Sequence, residues 1–295
     1  MKIRKLTAIL IAIAMFFVTA LLLISFAAAP NSRIEVLLYH ELEPGGSQEW
    51  PIIDPEDFYS HINTLLEHGW EPITLGDFTL WQQNKLKVTN KSFLLTFDDG
   101  GESIYQYAYP YLLEKQIPAT IFLIAKYHDP DYVLTEEVIP PKLTVDQIQE
   151  MSQSGIISFQ SHSYDLHREI NGKPAILALP PERVLADFKR SRQVINRLTG
   201  EKVNSIAYPS GTVDQEIIKL AREAGFELGF AGNIQGAASK KEAMSTKRFP
   251  LDNLSPDVFS YYYETFDRQH PKPPFLLLRK LYRKIVVRGK TLWNI

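Results

Sequence analysis

The sequence predicts an α/β fold in which parallel strands alternate with crossover helices. Short apolar runs recur between amphipathic segments about seven times along the chain. The runs are apolar throughout rather than alternating, as strands covered on both faces are. The chain has 295 residues, 45% of them hydrophobic, which is enough for one large core. That length suits a barrel better than an open sheet, although the periodicity fits both.

The elements follow in order. Ile34 to Tyr39 reads as a buried strand. The helix after it has Asp54 as N-cap, Pro55 at the first helical position, and Phe58, Ile62, Leu65 and Leu66 on one face. "LGDFTLWQQN" is a short helix, and "SFLLTF" is the second strand. "ESIYQYAYPYLLEKQ" is helical with a kink expected at Pro110. "ATIFLIA" is a strand, and "TVDQIQEMSQSG" is a helix capped by Thr144. "ISFQSH" is a strand, and the long helix from "PPERVLADF" ends at Gly200. "SIAYPSG" is a strand and "DQEIIKLAREAGF" a helix. "LGFAG" and "KRFPL" are short strands, and "SPDVFSYYYETF" is a last helix whose aromatic residues read as core.

The ends of the chain differ from its middle. Lys2, Arg4 and Lys5 precede a stretch free of charge from Leu6 to Ala29. About 20 apolar residues span a bilayer, so residues 1–30 are expected to be a transmembrane anchor or a signal peptide. The basic flank should stay cytoplasmic, which puts the rest outside the cytoplasm. Arg268 to Ile295 carries eight bases and no acid, so residues 271–295 are expected to be a basic amphipathic tail, packed on the body or lying on anionic lipid or polymer. The remainder holds 21 bases against all 34 acids, about −13, which argues against a nucleic-acid partner. The absence of cysteine excludes disulfides, thiolate metal sites and a cysteine nucleophile.

In a parallel barrel, reactive groups gather where strands end. The first strand ends in His40, the second in Asp98 and Asp99, and another in His162 with His167 five residues on. A later one ends in Tyr208-Pro209-Ser210-Gly211. Two histidines and a carboxylate suit a divalent cation, zinc first, with cobalt, nickel or iron also fitting. The adjacent aspartates then acquire separate uses, one for the cation and one for a proton. His61, His68, His128 and His270 stand outside this pattern and read as structural.

"TFDDG", "SHSYDLH" and "AYPSG", in that order, resemble the motifs of the polysaccharide deacetylase family, the NodB-like enzymes of carbohydrate esterase family 4. The resemblance implies a distorted (β/α)7 barrel over residues 31–270 and metal-dependent removal of N-acetyl groups from an N-acetylglucosamine polymer. It makes Asp98 the general base and Asp99, His162 and His167 the metal ligands. It places the aromatic ring of Tyr208 in the substrate groove and its N–H at the oxyanion. Many members have an Arg before the "YP"; here the residue is Ala207. Many also have a Leu-x-His motif near the C-terminus, which is missing here. "LLYHE" instead resembles the circularly permuted branch acting on poly-β-1,6-N-acetylglucosamine, which makes His40 the general acid. Arg248, in "KRFP", is a candidate for the missing tether of Asp98, with a surface arginine as the alternative. Two rival readings remain at this stage: a barrel glycosidase, and a glycan-binding module without catalysis.

Overall fold

The computed structural model describes residues 34–266, except 48–50, 90, 134, 136–137, 233–236 and 253. The expected N-terminal membrane helix and the basic tail lie outside the described residues. No helix among the described residues is long and apolar enough to cross a membrane.

The first elements are β1 (Ile34–Tyr39), β2 (Glu41–Leu42), β3 (Ile52–Ile53), α1 (Pro55–Glu67), β4 (Glu71–Pro72), α2 (Leu75–Gln82) and β5 (Ser92–Phe97). A π-helical turn, Ile104–Ala108, leads into α3 (Tyr109–Lys115), followed by β6 (Ala119–Leu123), α4 (Val145–Gln153) and β7 (Ile157–Ser161). Next come β8 (Glu169–Ile170), β9 (Lys173–Pro174), α5 (Ala175–Ala178), α6 (Pro181–Thr199), β10 (Ser205–Ala207) and α7 (Gln215–Glu223). The series ends with β11 (Leu228–Phe230), β12 (Phe249–Pro250) and α8 (Pro256–Phe266).

The main sheet runs β11-β10-β7-β6-β5-β1-β12, and its ladders are parallel. Its two ends meet through the segment before β12. Thr246 bridges Phe230 of β11, and Phe249 pairs with Leu37 of β1. The parallel strands expected from the alternating pattern are therefore present, and the sheet curls as the barrel suggested by the length and by the family resemblance does. Closure explains why such short strands suffice, since no long edge is left unpaired.

Local sequence accounts for the helices. Asp54 accepts from the Glu56 N–H at 2.8 Å, and Thr144 forms a capping box with Gln147. Gly200, at φ 71°, ends α6 in the left-handed region where glycine is cheapest. The expected single helix around Pro110 is divided: the missing proline N–H interrupts the ladder where the π-turn passes into α3. Phe58, Ile62 and Leu65 of α1 are fully buried, each contributing roughly 2 kcal/mol. Phe259 and Tyr263 of α8 are buried too, in keeping with a core role.

Alternation along the strands sorts two apolar layers. Leu37, Tyr39, Leu95, Phe97, Ile121, Phe159 and Ile206 pack outward with Phe58, Ile148, Phe188 and Ile217 of the helices. Ile34, Val36, Leu94, Phe122, Ala207 and Phe230 form the inner layer, where Phe78 and Trp81 of α2 plug the ends at which strands begin. A period of two then fixes the opposite end. Counting on from Val36, Leu94 and Phe122 directs His40 and Asp98 inward at the strand tips, and the same register brings His162 to the tip of β7.

Candidate active site

Three strand ends carrying chemistry turn through left-handed residues other than glycine. Asp99 has φ 69°, Ser163 φ 70° and Ser210 φ 56°. Such conformations cost of order 1 kcal/mol or more and collect at functional sites. At Asp99 the turn breaks strand alternation, so the two aspartates separate. Asp98 stays in register, its N–H donating to Tyr39 O at 3.0 Å, while Asp99 swings towards the histidines.

Asp98 is 2% exposed, and its carboxylate is gripped by Arg248, 1% exposed. Arg248 Nη1 donates to Oδ1 and Nη2 to Oδ2, both at 2.7 Å. This two-pronged pairing fixes the carboxylate plane. Arg248 Nε also donates to Ala231 O at 3.3 Å, and its guanidinium lies 5.6 Å from the Phe122 ring centroid. Burial alone would raise the Asp98 pKa, but the guanidinium overrides it and holds the carboxyl well below the usual range. The candidate tether is thus the arginine beside β12, on the segment that closes the barrel.

Asp99, His162 and His167 can each offer a ligand atom, all within 4.8 Å of one another. Asp99 Oδ1 lies 3.4 Å from His162 Nε2 and 3.6 Å from His167 Nε2. It is buried and accepts no hydrogen bond. His162 Nδ1 lies 2.9 Å from Ala207 O. A carbonyl can only accept, so Nδ1 carries the proton and Nε2 presents its lone pair to Asp99. Burial pushes His162 down to about 4, which keeps it neutral at pH 7. An orphaned carboxylate oxygen facing two imidazole nitrogens fits a divalent cation. His167 is 36% exposed, so the cluster is open on its side.

The loop between the two histidines is anchored from α6. Asp187 accepts from the N–H groups of Tyr164 and Asp165, both at 2.8 Å. Burial raises its carboxyl to about 6 even so. The aspartate loop is anchored from the other side. Buried Glu41 accepts from Ser103 Oγ at 2.6 Å and pairs with Lys142 Nζ at 3.3 Å. Gly101 lies so close to that carboxylate that a Cβ there would overlap it.

His40 takes part in a pair of its own. Its N–H donates to Asp252 Oδ1 at 2.8 Å, and its Nδ1 lies 3.2 Å from Asp252 Oδ2. Burial lowers the imidazole pKa, but Asp252 outweighs burial, and the field of Asp98 and Asp99 adds to it, giving about 9. The pair's contribution to stability is therefore full below the ordinary 6.5 and is lost as the pH rises through about 9. With protonated His40 as the acid of turnover, Asp252→Asn moves the alkaline limb of kcat/KM down from about 9. Return to an ordinary imidazole pKa would cut kcat/KM at pH 8 by roughly 30-fold, which a pH–rate profile measures directly.

Tyr208 does not sit as expected. Its N–H donates to Phe230 O at 3.0 Å and its hydroxyl to Met244 O at 2.9 Å. The side chain is wholly buried in the outer layer, because Ala207 takes the inward position on β10. It neither lines a groove nor offers a free donor. At this strand tip the Ser210 N–H is the one that donates to no acceptor among the described residues. Sequence reasoning also missed Asp252, which reaches His40 from 212 residues away. Of the histidines set aside as structural, His61 bonds the Tyr39 hydroxyl at 3.0 Å and His68 bonds Thr64 O at 2.7 Å, while His128 is buried. His270 lies outside the described residues.

Known proteins resemble this chain in sequence and in fold. YxkH of Bacillus subtilis (strain 168), named as a polysaccharide deacetylase, is 32% identical over 213 residues, covering 72% of this chain and 69% of its own. The poly-beta-1,6-N-acetyl-D-glucosamine N-deacetylase of Staphylococcus aureus (strain MSSA476) is 26% identical over 221 residues, 75% of this chain and 73% of that one. The solved structure of IcaB from Ammonifex degensii superposes with a TM-score of 0.67 at 26% identity, covering 79% of this chain and 96% of that one. The sequence pattern described as Polysaccharide deacetylase matches residues 85–229, a range that includes Asp98, Asp99, His162 and His167. The chain belongs to the polysaccharide deacetylase family.

Proposed function

We propose that this protein hydrolyses N-acetyl groups from a β-1,6-linked N-acetylglucosamine polymer. The observation that carries the reading is the orphaned Asp99 Oδ1 between His162 and His167, beside an Asp98 held ionised by Arg248. A divalent cation bound by Asp99, His162 and His167 would polarise the acetamide carbonyl and acidify water. Zinc suits this donor set, as do cobalt, nickel and iron.

The chain's own groups handle the protons. The Asp98 carboxylate, fixed in plane by Arg248, takes a proton from water as the water attacks the carbonyl carbon. The free N–H of Ser210 supports the carbonyl oxygen as charge develops there, in the place first given to Tyr208. His40, kept protonated by Asp252, donates to the amine nitrogen as the C–N bond breaks. The products are a free amine on the sugar and acetate. The choice of the β-1,6 polymer over peptidoglycan or a chitin-like chain rests on the staphylococcal relative and on the His40 motif. Acetate release from the three polymers, measured side by side, tests it; equal or greater release from either alternative contradicts it.

A glycosidase needs a second carboxylate across the scissile bond. The carboxylate adjacent to Asp98 is Asp99, which faces two imidazoles instead. A binding module has no need of a tethered base or a protonated histidine. We place the enzyme outside the cytoplasm, held at the membrane by residues 1–30, on the strength of Lys2, Arg4, Lys5 and the charge-free stretch after them. Recovery in the soluble cytoplasmic fraction would contradict that placement.

A further inference from the structure

The end of the barrel at which strands begin, opposite the candidate active site, carries charge that the mechanism does not use. Residues 78–97 hold three lysines and no acid, and residues 232–241 hold two lysines and no acid. The two segments meet over α2, the helix that plugs this end. Lys85 N–H folds back onto Leu80 O at 2.8 Å. Gln82 Nε2 donates to Ser239 O at 3.3 Å, and Lys240 Nζ donates to Asn84 Oδ1 at 2.7 Å while lying 5.2 Å from the Trp81 ring centroid. Lys85, Lys87, Lys240 and Lys241 are exposed, and Leu80 beside them is 41% exposed. The acids that bound these segments at this end are held locally: Asp77 caps α2 with Thr74, and Glu242 lies 3.8 Å from Lys247. The chain also enters the barrel here. β1 starts at Ile34, whose carbonyl accepts from the Ala238 N–H at 2.8 Å, two residues before Lys240. Only residues 30–33 separate Ile34 from the charge-free stretch. Fully extended, that link reaches roughly 17 Å, so an anchor in residues 1–30 keeps this end at the bilayer surface.

We propose that this face, α2 with the Lys240–Lys241 turn, docks on anionic phospholipid headgroups and points the active site away from the bilayer. The inference deepens the membrane placement proposed above and rests on it for the tether. Lysine stems lie along apolar surface while their ammonium groups reach phosphates, and Leu80 supplies an apolar contact among them. The body as a whole is acidic, so an anionic bilayer repels its other faces and selects this one. The parallel ladders put His40, Asp98 and His162 at the far ends of the strands, open to polymer.

The test uses the full chain reconstituted in vesicles of phosphatidylcholine alone or mixed with phosphatidylglycerol. The chain has no cysteine, so Leu80→Cys and Leu177→Cys each give one labelling site, the second on α5 in the loop after β7, at the opposite end. Each is labelled with bimane, and quenching by lipids with nitroxide headgroups is measured. In anionic vesicles the label at position 80 is expected to be quenched about threefold more than the label at 177. Combining Lys85→Gln, Lys240→Gln and Lys241→Gln lowers the docking equilibrium roughly 100-fold, at about fivefold per lysine, and the difference between labels vanishes. Melting temperature and acetate release from a soluble oligomer hold at wild-type values in that variant. Phosphatidylcholine alone abolishes the difference without any change to the lysines. Equal quenching at the two positions overturns the proposal, as does stronger quenching at 177. So does a difference that survives the triple variant or uncharged lipid. Carbonate extraction of the same vesicles tests the tether separately. A chain that resists extraction with position 80 unquenched leaves the anchor standing and sinks the docking face. A chain that is extracted, after quenching at position 80, leaves the docking face standing and sinks the anchor.

Discussion

Asp98→Asn lowers kcat for acetate release by about 10³-fold, within the range for loss of a general base. The amide keeps the size of the carboxylate and can still accept from one Arg248 nitrogen, but it takes no proton from water at neutral pH. The wild-type carboxylate is ready for this role because Arg248 offsets the cost of its burial. The three side chains that offer metal ligands are untouched, so bound metal per chain should remain at the wild-type value. That combination separates loss of the base from collapse of the site. Asp99→Asn makes the contrast: it alters the carboxylate facing both imidazoles, so metal content falls with activity.

Arg248→Met has the second large effect, and it acts on stability as well as rate. It leaves a carboxylate that is 2% exposed without its counter-charge. Removing one partner of a buried ion pair costs about 3–5 kcal/mol, which for a domain of this size lowers the melting temperature by roughly 10 °C. The sign of the pH dependence follows from the same pair. In the wild type the Asp98 pKa is depressed, so its stabilisation is present above the ordinary carboxylate value and is lost only as the pH falls through the depressed one. Without Arg248, burial dominates and the pKa rises. The acid limb of kcat/KM should therefore move to higher pH, and thermal melts across pH should show stability lost earlier on acidification. An acid limb that stays in place would mean that Arg248 is not the tether.

These two residues also show how far the sequence could be read. Asp98, Asp99, His162 and His167 were legible because each lies at the end of an apolar run, where a parallel barrel exposes its chemistry. Arg248 was legible only as a candidate: it reaches Asp98 across 150 residues, and the segment carrying it joins the two ends of the sheet only when the barrel closes. Asp252 left no local signal, since its partner His40 is set by the same closure. Tyr208 was misplaced for a different reason. Its motif marks the right strand tip, but a period of two on β10 sends Ala207 inward and Tyr208 outward, and the three-residue strand is too short to reveal its own phase. The kink at Pro110 was legible, whereas its π-helical form depends on how the turn packs before α3. The paired two-residue strands β2, β3, β8 and β9 have no periodicity to detect.

The most direct measurement is acetate released from poly-β-1,6-N-acetylglucosamine by the metal-loaded wild type and by Asp98→Asn, with reducing ends counted in the same samples. The predicted result is acetate from the wild type without new reducing ends, and about 10³-fold less acetate from the variant at equal metal content. New reducing ends without acetate, or equal acetate release from both proteins, would contradict the assignment of Asp98 as the base of a deacetylase.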